Sequence, residues 1–145
     1  MHELFKNYVE TLHPSFERLM SATPCKIATL PKQFPQECIY LFSEGENHLY
    51  VGRTRHFRNR LRQHSIVAAQ HNQAVFAFRL AREMTGNVVA AYSTKGGRAA
   101  LSKDPSFVEA FTKAKTRIRD MDLRFVEEID PLRQALLEIY VSIVL

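Results

Sequence analysis

The feature that most constrains this chain is the segment Cys38–His64, CIYLFSEGENHLYVGRTRHFRNRLRQH. Its first part contains two short apolar runs, residues 38–43 and 49–53, which have the length and composition of β-strands. Gly45 and Asn47 lie between the runs and supply turn chemistry, so the pattern predicts a β-hairpin. Five arginines and two histidines, with no acidic residue, then follow directly. The segment therefore predicts a hairpin next to a dense group of cations.

Each strand of the predicted hairpin contains one tyrosine, Tyr40 and Tyr50. Because side chains alternate across a strand, the two phenols share a face only if even-numbered residues pair with even-numbered ones. That pairing requires a β-bulge or a loop of odd length, such as a three-residue loop closed by Gly45 in the left-handed conformation. Gly52 next to Tyr50 would leave room for a ligand to approach the backbone. The alternative for both tyrosines is ordinary aromatic packing.

The charge of the chain is unevenly distributed. At 145 residues, with 46% hydrophobic and 24% charged residues, the chain has the size and composition of one globular domain. Its net charge is +5, but the window 53–98 contains nine basic residues and one acidic residue, which gives +8 there and −3 elsewhere. A basic middle on an acidic body is typical of nucleic-acid-binding proteins, although a solvated cationic surface would look the same.

The spacing of the cysteines and the hydropathy of the chain indicate the cellular compartment in which the protein is expected. No apolar run approaches the roughly 18 residues that a membrane helix needs, and the N-terminus lacks a signal-peptide pattern. Cys25 and Cys38 have neither metal-ligand spacing nor the spacing of a disulfide framework. We therefore expect a cytoplasmic protein with reduced thiols.

The predicted fold class is α/β, more narrowly α+β: a small three-stranded, mostly antiparallel sheet flanked by helices, with an N-terminal helix and an inserted helical region. One domain is expected over residues 35–145. Residues 1–34 are expected to form an N-terminal helix that breaks at Pro14 and resumes weakly over Phe16–Met20, followed by an irregular lead-in that is too short to be a second domain. Cap residues followed by proline predict that helices begin at Pro105 and Pro131. The other predicted elements are a helix over 57–70, a helix from Asn72 to Met84 whose 75–80 run also fits a strand, a short strand over 87–93, a mobile loop over 94–104 and a third strand over 121–125.

Arg60 and His64 are four residues apart and share one face of the helix that follows the hairpin. That face borders the apolar stripe of Phe57 and Leu61, where a side chain is held firmly and still reaches a ligand. These two side chains are therefore candidates for a binding site.

Glu138 lies among apolar residues of the last helix and has two interpretations. A buried carboxylate without a partner or a metal ion would be costly. However, Glu138 shares a helical face with Gln134 and Ser142, and that face would simply be solvated. The helical spacing favours the solvated face.

The arrangement resembles the GIY-YIG nuclease family. The first motif is present as Cys38–Ile39–Tyr40 and the second as Tyr50–Val51–Gly52. The family's helical arginine matches Arg60, and the His or Tyr four residues later matches His64. The family's metal-binding glutamate, on a helix after the third strand, matches Glu138, and this favours a metal ligand there.

The resemblance covers roughly residues 35 to 143 as architecture and is motif-specific mainly over 38 to 64 and again near 138. Three departures accompany it. Cys38 replaces a glycine, about seventy residues separate His64 from Glu138, and the chain ends at Leu145 before the family's asparagine. We therefore expect an inserted region after residue 64, and either a missing segment or a partner that covers the apolar C-terminal helix.

The resemblance implies a metal-dependent endonuclease that hydrolyses phosphodiester bonds in DNA. Mg²⁺ or Mn²⁺ would be held by Glu138, water and phosphate oxygens, and Arg60 would bind a non-bridging oxygen. Tyr40 is favoured as the general base, with Tyr50 and His64 orienting water or relaying the proton. Because tyrosine normally titrates near 10, nearby cations would have to favour its phenolate.

Further basic residues are expected to contact the DNA backbone and to make binding depend on salt. The alternative to an active enzyme is a catalytically inactive nucleic-acid-binding module of the same fold, and a third possibility is an assembly domain whose last helix docks on a partner. Arg79 and Arg82 are basic residues that could also track the phosphate backbone. The residues predicted to bind DNA are Arg53, Arg55, Arg58, Arg62, Lys95 and Arg98.

Overall fold

Three antiparallel strands form a sheet in the order β2-β1-β3 in the computed structural model, which describes residues 1–88 and 97–145. Helices flank this sheet, so the predicted α+β class and three-stranded sheet are confirmed. In chain order the elements are α1 (Glu3–Glu10), α2 (Leu12–Ser21), a 3₁₀ turn (Ile27–Thr29), β1 (Cys38–Glu44), β2 (Asn47–Thr54), α3 (Phe57–Ser65), α4 (Val75–Met84), α5 (Arg98–Leu101), α6 (Pro105–Asp120), β3 (Asp122–Glu127) and α7 (Pro131–Val144).

The chain divides into two compact units. The sheet unit comprises Met1–Arg58 and Met121–Leu145 and holds all three strands. The helical unit comprises Asn59–Asp120 and holds α4, α5 and α6. The division into residues 1–34 and 35–145 stays a prediction.

The hairpin contains a β-bulge. Glu44 pairs with Asn47, so the loop has two residues, and its first residue, Gly45, takes φ +58. The register shifts between Phe42 and Ser43, so that Phe42 lies opposite Tyr50 while Ser43 lies opposite His48. Between Cys38 and Phe42, even-numbered residues of β1 lie opposite even-numbered residues of β2. The bulge is therefore confirmed as the reason why Tyr40 and Tyr50 share one face of the hairpin. The prediction of a three-residue loop was wrong.

Helices α2 and α7 pack on one face of the sheet. Pro14 does not break the N-terminal helix, because the break lies at Thr11 and Pro14 is the third residue of α2. In the first turn a proline removes no intrahelical hydrogen bond, so the helix accepts it. The N-terminal segment thus contributes a core helix. The buried cluster contains Leu12, Leu19, Ile39, Leu41, Leu137 and Val141.

Helix α7 is capped as predicted and is only partly covered. Asp130 Oδ1 accepts hydrogen bonds from the backbone N–H groups of Leu132 and Arg133 at 2.8 and 3.1 Å. Ile139 and Ile143 are 56% and 78% exposed. A partner for this helix stays a prediction. None of the described helices is long and apolar enough to span a membrane.

The helical unit has its own core, centred on contacts between α4 and α6. Helix α3 ends at Ser65, short of the predicted residue 70, and a turn replaces its last part. In this turn the Ala69 N–H donates to the Ile66 carbonyl at 3.1 Å, and the buried Lys115 ammonium of α6 donates to the carbonyl oxygens of Val67, at 2.8 Å, and Ala69, which ties the turn to α6. The core residues are Phe78, Ala81, Leu101, Phe107 and Ala110.

Two other predicted elements of this unit, the helix from Asn72 and the loop over 94–104, differ in part from the structure. Helix α4 begins at Val75 with Ala74 as its cap, not at Asn72, because backbone hydrogen bonds to the Gln70 carbonyl form a turn over 70–74. The 75–80 run is helical, so the strand alternative was wrong. Within the predicted loop, residues 98–101 form α5. Most of the predicted strand over 87–93, from residue 89 onward, lies outside the described residues.

Candidate active site

The hairpin brings the two tyrosines together on one face of the sheet. The ring centroids of Tyr40 and Tyr50 are 6.2 Å apart, with an interplanar angle of 39°. Tyr40 is completely buried, and its ring packs against Phe42 at 5.8 Å and Phe57 at 5.5 Å. Tyr50 is half-buried. The two phenols therefore differ in their access to solvent, although they share a face.

Gly52 lies directly under the Tyr40 ring. The two residues are partners across β1 and β2, and a Cβ built on Gly52 would lie 2.5 Å from Cζ of Tyr40. No side chain larger than hydrogen fits there while the ring keeps its place. The space above Gly52 is thus taken by the phenol of Tyr40, and not kept open for a ligand as the sequence suggested.

An aromatic cluster continues from Tyr40 on the same side. Phe57, the first residue of α3, contacts Phe125 of β3 and Phe34 with centroid distances of 5.1 and 5.9 Å. The Arg58 guanidinium lies 4.9 Å from the centroid of the Phe34 ring. The start of α3 is therefore anchored to the sheet through Phe57, and this fixes where the hairpin ends.

Glu138 pairs with a cation on the neighbouring strand. Its Oε2 accepts a hydrogen bond from Nε of Arg53 at 2.9 Å. One turn earlier, Gln134 is only 1% exposed, and its Nε2 donates to the carbonyl oxygens of Thr54, at 3.2 Å, and Glu128. This face of α7 therefore packs along β2 and is not simply solvated.

The tyrosine pair and the Glu138–Arg53 pair lie on opposite faces of β2. Arg53 pairs with Ile39, whose side chain belongs to the core beneath α7. Tyr40 and Tyr50 alternate with these positions and point to the other face. Because β2 is an edge strand, a ligand that lay along it would reach side chains of both faces.

Glu138 is suited to an ion that takes most of its ligands from elsewhere. Over residues 1–88 and 97–145, no group of three histidine, cysteine, aspartate or glutamate side chains could hold a metal ion. The Glu138 side chain is one third exposed, at 33%, and Arg53 engages only one of its oxygens. A single accessible carboxylate fits Mg²⁺ or Mn²⁺, which retain water and bind substrate phosphate. It does not fit a closed structural metal site.

Arg60 is held by two groups of the helical unit. Its Nη1 donates to Oε1 of Gln63 at 3.0 Å and to the carbonyl oxygen of Gln73 at 2.9 Å. The side chain is half-buried. These two contacts orient the guanidinium plane. A mobile surface arginine would lack this fixed orientation.

His64 is neutral. Its side chain is completely buried, and the ring packs edge-on against Phe76 with centroids 6.3 Å apart. Burial, and then the charge of Arg60, lower the pKa of His64 to about 3. The imidazole therefore stays uncharged at any pH at which the protein would work, and it acts only as a neutral hydrogen-bonding group.

Cys38, which replaces the motif's glycine, is an ordinary strand residue. No described non-glycine residue has a positive φ, and Cys38 is completely buried in β1. Burial, followed by the charge of Glu127, raises the pKa of its thiol to about 12. The substitution therefore costs no backbone strain and creates no reactive thiol.

The arginines predicted to bind DNA have local contacts that a ligand could replace. Nε of Arg55 lies 3.3 Å from Oε2 of Glu37, and Arg53 pairs with Glu138. Such partly exposed pairs contribute only about 0–1 kcal/mol. Arg62 and Arg98 are exposed, and Lys95 lies outside the described residues.

Sequence reasoning missed two contacts, the Arg53–Glu138 pair and the position of the Tyr40 ring over Gly52. Neither had a local signal. The first joins residues on different elements far apart in the chain, and the second depends on the register that the bulge sets.

The fold and these side chains define a small α+β domain with a tyrosine pair on its hairpin. Residues 36–96 match the family model described as the GIY-YIG catalytic domain, which confirms the resemblance. The match includes both tyrosine motifs, Arg60 and His64, whereas Glu138 lies beyond it. Comparison with curated proteins and with solved structures gave no match.

Proposed function

We propose that this protein is a divalent-metal-dependent endonuclease that hydrolyses phosphodiester bonds in DNA. The observation that carries the proposal is the pair of phenols, Tyr40 and Tyr50, held 6.2 Å apart within the segment that matches the nuclease family. DNA is the proposed partner, and a cytoplasmic location stays a prediction.

A tyrosine would accept the proton of the attacking water. The sequence favoured Tyr40 for this role, but its complete burial favours Tyr50, which is half-buried and reaches solvent. Tyr40 would then position Tyr50 through the contact between their rings. General-base catalysis of this kind contributes about 10²–10⁴-fold to a rate.

Arg60 would bind a non-bridging oxygen of the scissile phosphate. A guanidinium matches phosphate geometry and carries its charge at any working pH. The bonds to Gln63 and Gln73 support this role, because they fix the plane of the guanidinium before substrate arrives. His64, four residues later, would act as a neutral hydrogen-bonding group that orients its neighbours.

Glu138 would hold Mg²⁺ or Mn²⁺ together with water and phosphate oxygens. The ion, when bound, supplies charge stabilisation at the leaving oxygen and at phosphorus. Arg53 now pairs with the same carboxylate. A cation next to Glu138 would repel the guanidinium, so Arg53 would leave the carboxylate and bind a substrate phosphate. The other residues proposed to contact the DNA backbone are Arg55, Arg58, Arg62, Lys95 and Arg98.

The test is cleavage of a panel of duplex, branched and single-stranded DNAs by the wild-type protein, with Mg²⁺, with Mn²⁺ and with EDTA. We expect cleavage of at least one DNA form with either ion and none in EDTA. Tyr50→Phe should lower the rate by about 10²–10⁴-fold and Tyr40→Phe by less. Equal rates in EDTA and in Mg²⁺ would refute metal dependence.

The alternative is a catalytically inactive nucleic-acid-binding module of the same fold. Two observations favour it: Arg53 already occupies one oxygen of Glu138, and Tyr40 is completely buried. An inactive module would bind DNA in a salt-dependent way and would cleave no member of the panel with any divalent ion.

A further inference from the structure

The positive charge of the chain is concentrated in the helical unit. Residues 59–120 contain eleven lysines and arginines against four acidic residues, a net charge of +7, whereas the sheet unit has nine basic and eleven acidic residues, a net charge of −2. Of the proposed catalytic residues, only Arg60 and His64 belong to the helical unit. Most of its charge therefore has no role in the proposed chemistry.

Part of this charge surrounds a cavity of about 380 Å³. The cavity is lined by residues of α4 together with Arg98, the first residue of α5. Three arginines face one acidic residue there, which leaves the lining with a net charge of +2. The polar lining residues are Arg79, Arg82, Glu83 and Arg98, and Val75 and Phe78 supply apolar walls.

Aromatic rings support the three guanidinium groups. Arg98 and Arg82 lie 5.3 and 6.0 Å from the centroid of the same Phe78 ring, and Arg79 lies 5.1 Å from that of Phe76. A guanidinium stacked on a ring keeps its in-plane N–H donors for hydrogen bonds and loses little freedom when a ligand binds. The arrangement is suited to planar, bidentate recognition of an oxyanion.

Two of these arginines make local contacts within the helical unit. Nε of Arg79 lies 3.7 Å from Oε1 of Glu83 in an exposed i,i+4 pair, which contributes little. The Arg82 Nε–H donates to the carbonyl oxygen of Asn87 at 2.7 Å, which helps to fix the position of the side chain. Guanidinium groups that converge on one ring repel each other, and an anion between them would relieve that repulsion.

We propose that this arginine pocket, formed by Arg79, Arg82 and Arg98, binds a backbone phosphate of the DNA substrate. It would use none of the proposed catalytic residues and would contribute affinity without sequence preference. The identity of the ligand as DNA rests on the proposed function. A free nucleotide offers the same phosphate chemistry, so the experiment must separate the two sources.

The experiment measures binding of a short fluorescein-labelled duplex by anisotropy in EDTA, so that no cleavage occurs, over a series of salt concentrations. The test variant is Arg79→Gln/Arg98→Gln, which leaves the Arg82–Asn87 hydrogen bond in place. The matched control is Lys103→Gln/Lys113→Gln, which removes the same charge from exposed positions of the same unit outside the pocket. Thermal melting checks that both variants are folded.

We expect the test variant to reduce the slope of log affinity against log salt by about 1, since the loss of one phosphate contact removes ~0.9. The control should leave that slope unchanged to within about 0.3. Equal slopes for the two variants would overturn the proposal. A second result would also overturn the proposal: the test variant is no longer stabilised against heat by a 5′-mononucleotide, but its DNA affinity keeps the wild-type dependence on salt. The pocket would then bind free nucleotides.

Failure of this pocket and failure of the proposed function remain distinguishable. If the slopes are equal but the wild-type protein still cleaves DNA with Mg²⁺, the pocket assignment is wrong and the nuclease stands. If the test variant loses the slope but no divalent ion supports cleavage, the pocket binds DNA in an inactive module.

Discussion

At the scale of single residues, the position of Tyr40 depends on the absence of a side chain at Gly52. The ring occupies the volume that a Cβ at Gly52 would need, 2.5 Å from Cζ. The glycine of the second motif and the tyrosine of the first are thus two parts of one packing arrangement. This gives a physical reason for finding both residue types in one hairpin.

Gly52→Ala should destabilise the protein by about 1–3 kcal/mol, because the added methyl group forces the Tyr40 ring out of its site. Urea denaturation measures the cost. Tyr40→Ala removes the ring, so the double variant should be less destabilised than the sum of the two single variants. Strict additivity would show that the contact is not the cause.

His64 should make the stability of the protein depend on pH. Its folded pKa is about 3, below the ordinary value of 6.5, so between these values the unfolded chain binds a proton that the folded protein does not. The contribution of neutral His64 to the free energy of unfolding is therefore fully present above pH 6.5. This contribution decreases as the pH falls toward 3. Between pH 7 and pH 5 we expect a loss of about 2 kcal/mol in urea denaturation, apart from other groups.

The variant His64→Gln is the control for that titration, because glutamine keeps a polar side chain without a proton to gain. Its free energy of unfolding should change less over the same pH interval than that of the wild type. Parallel pH profiles for the two proteins would mean that His64 titrates normally in the folded state.

The pair between Arg53 and Glu138 should compete with metal binding. In the absence of DNA, Arg53→Gln should bind Mn²⁺ more tightly than the wild type, because the carboxylate is no longer shared with a guanidinium. The same variant should bind DNA more weakly, since a phosphate contact is lost. Titration of free Mn²⁺ by electron paramagnetic resonance gives the affinity, and an unchanged value would refute the competition.

At the scale of elements, helix α2 is part of the core and not a lead-in to it. Leu19 is completely buried in the cluster with Ile39 and Val141. Leu19→Ala should therefore cost about 2–5 kcal/mol, whereas Leu4→Ala, at a position 61% exposed on α1, should cost much less. Thermal or urea denaturation compares the two leucine variants, and similar losses would contradict this packing.

The strands, α6 and α7 could be predicted from the sequence because their signals are local. Short apolar runs predicted the first two strands, alternation of Met121, Leu123 and Phe125 with polar residues predicted the third, and Asp104–Pro105 and Asp130–Pro131 predicted the helix starts. The turn after α3 could not be predicted, because its carbonyl oxygens at Val67 and Ala69 accept hydrogen bonds from Lys115, which lies far along the chain. Tertiary contacts of this kind leave no periodic signal.

In the candidate site, too, features set by local sequence patterns could be predicted, whereas features set by tertiary contacts could not. The phenol pair follows from the strand period plus a bulge, which the sequence could state only as a condition. The Glu138–Arg53 contact depends on how α7 lies along β2, which helical spacing does not reveal. Helical periodicity alone therefore favoured a solvated face for Glu138.

At the scale of the whole molecule, the two units differ in net charge. The sheet unit, which is slightly acidic, holds both tyrosines and Glu138, while the basic helical unit holds Arg60 and the arginine pocket. The electrostatic attraction for a polyanion therefore comes mainly from residues 59–120, and the proposed general base and the proposed metal ligand come from the remainder. Long-range attraction of this kind raises association rates and weakens with salt.

The most direct measurement is the initial rate of DNA cleavage in Mn²⁺ by the wild type, by Glu138→Gln, and by Glu3→Gln, an exposed carboxylate on α1. If Glu138 holds the ion of a metal-dependent nuclease, Glu138→Gln should lose at least ~10²-fold in rate while Glu3→Gln keeps the wild-type rate. Cleavage by Glu138→Gln at the wild-type rate would contradict the metal role. A wild-type protein that binds DNA but never cleaves it would contradict the nuclease.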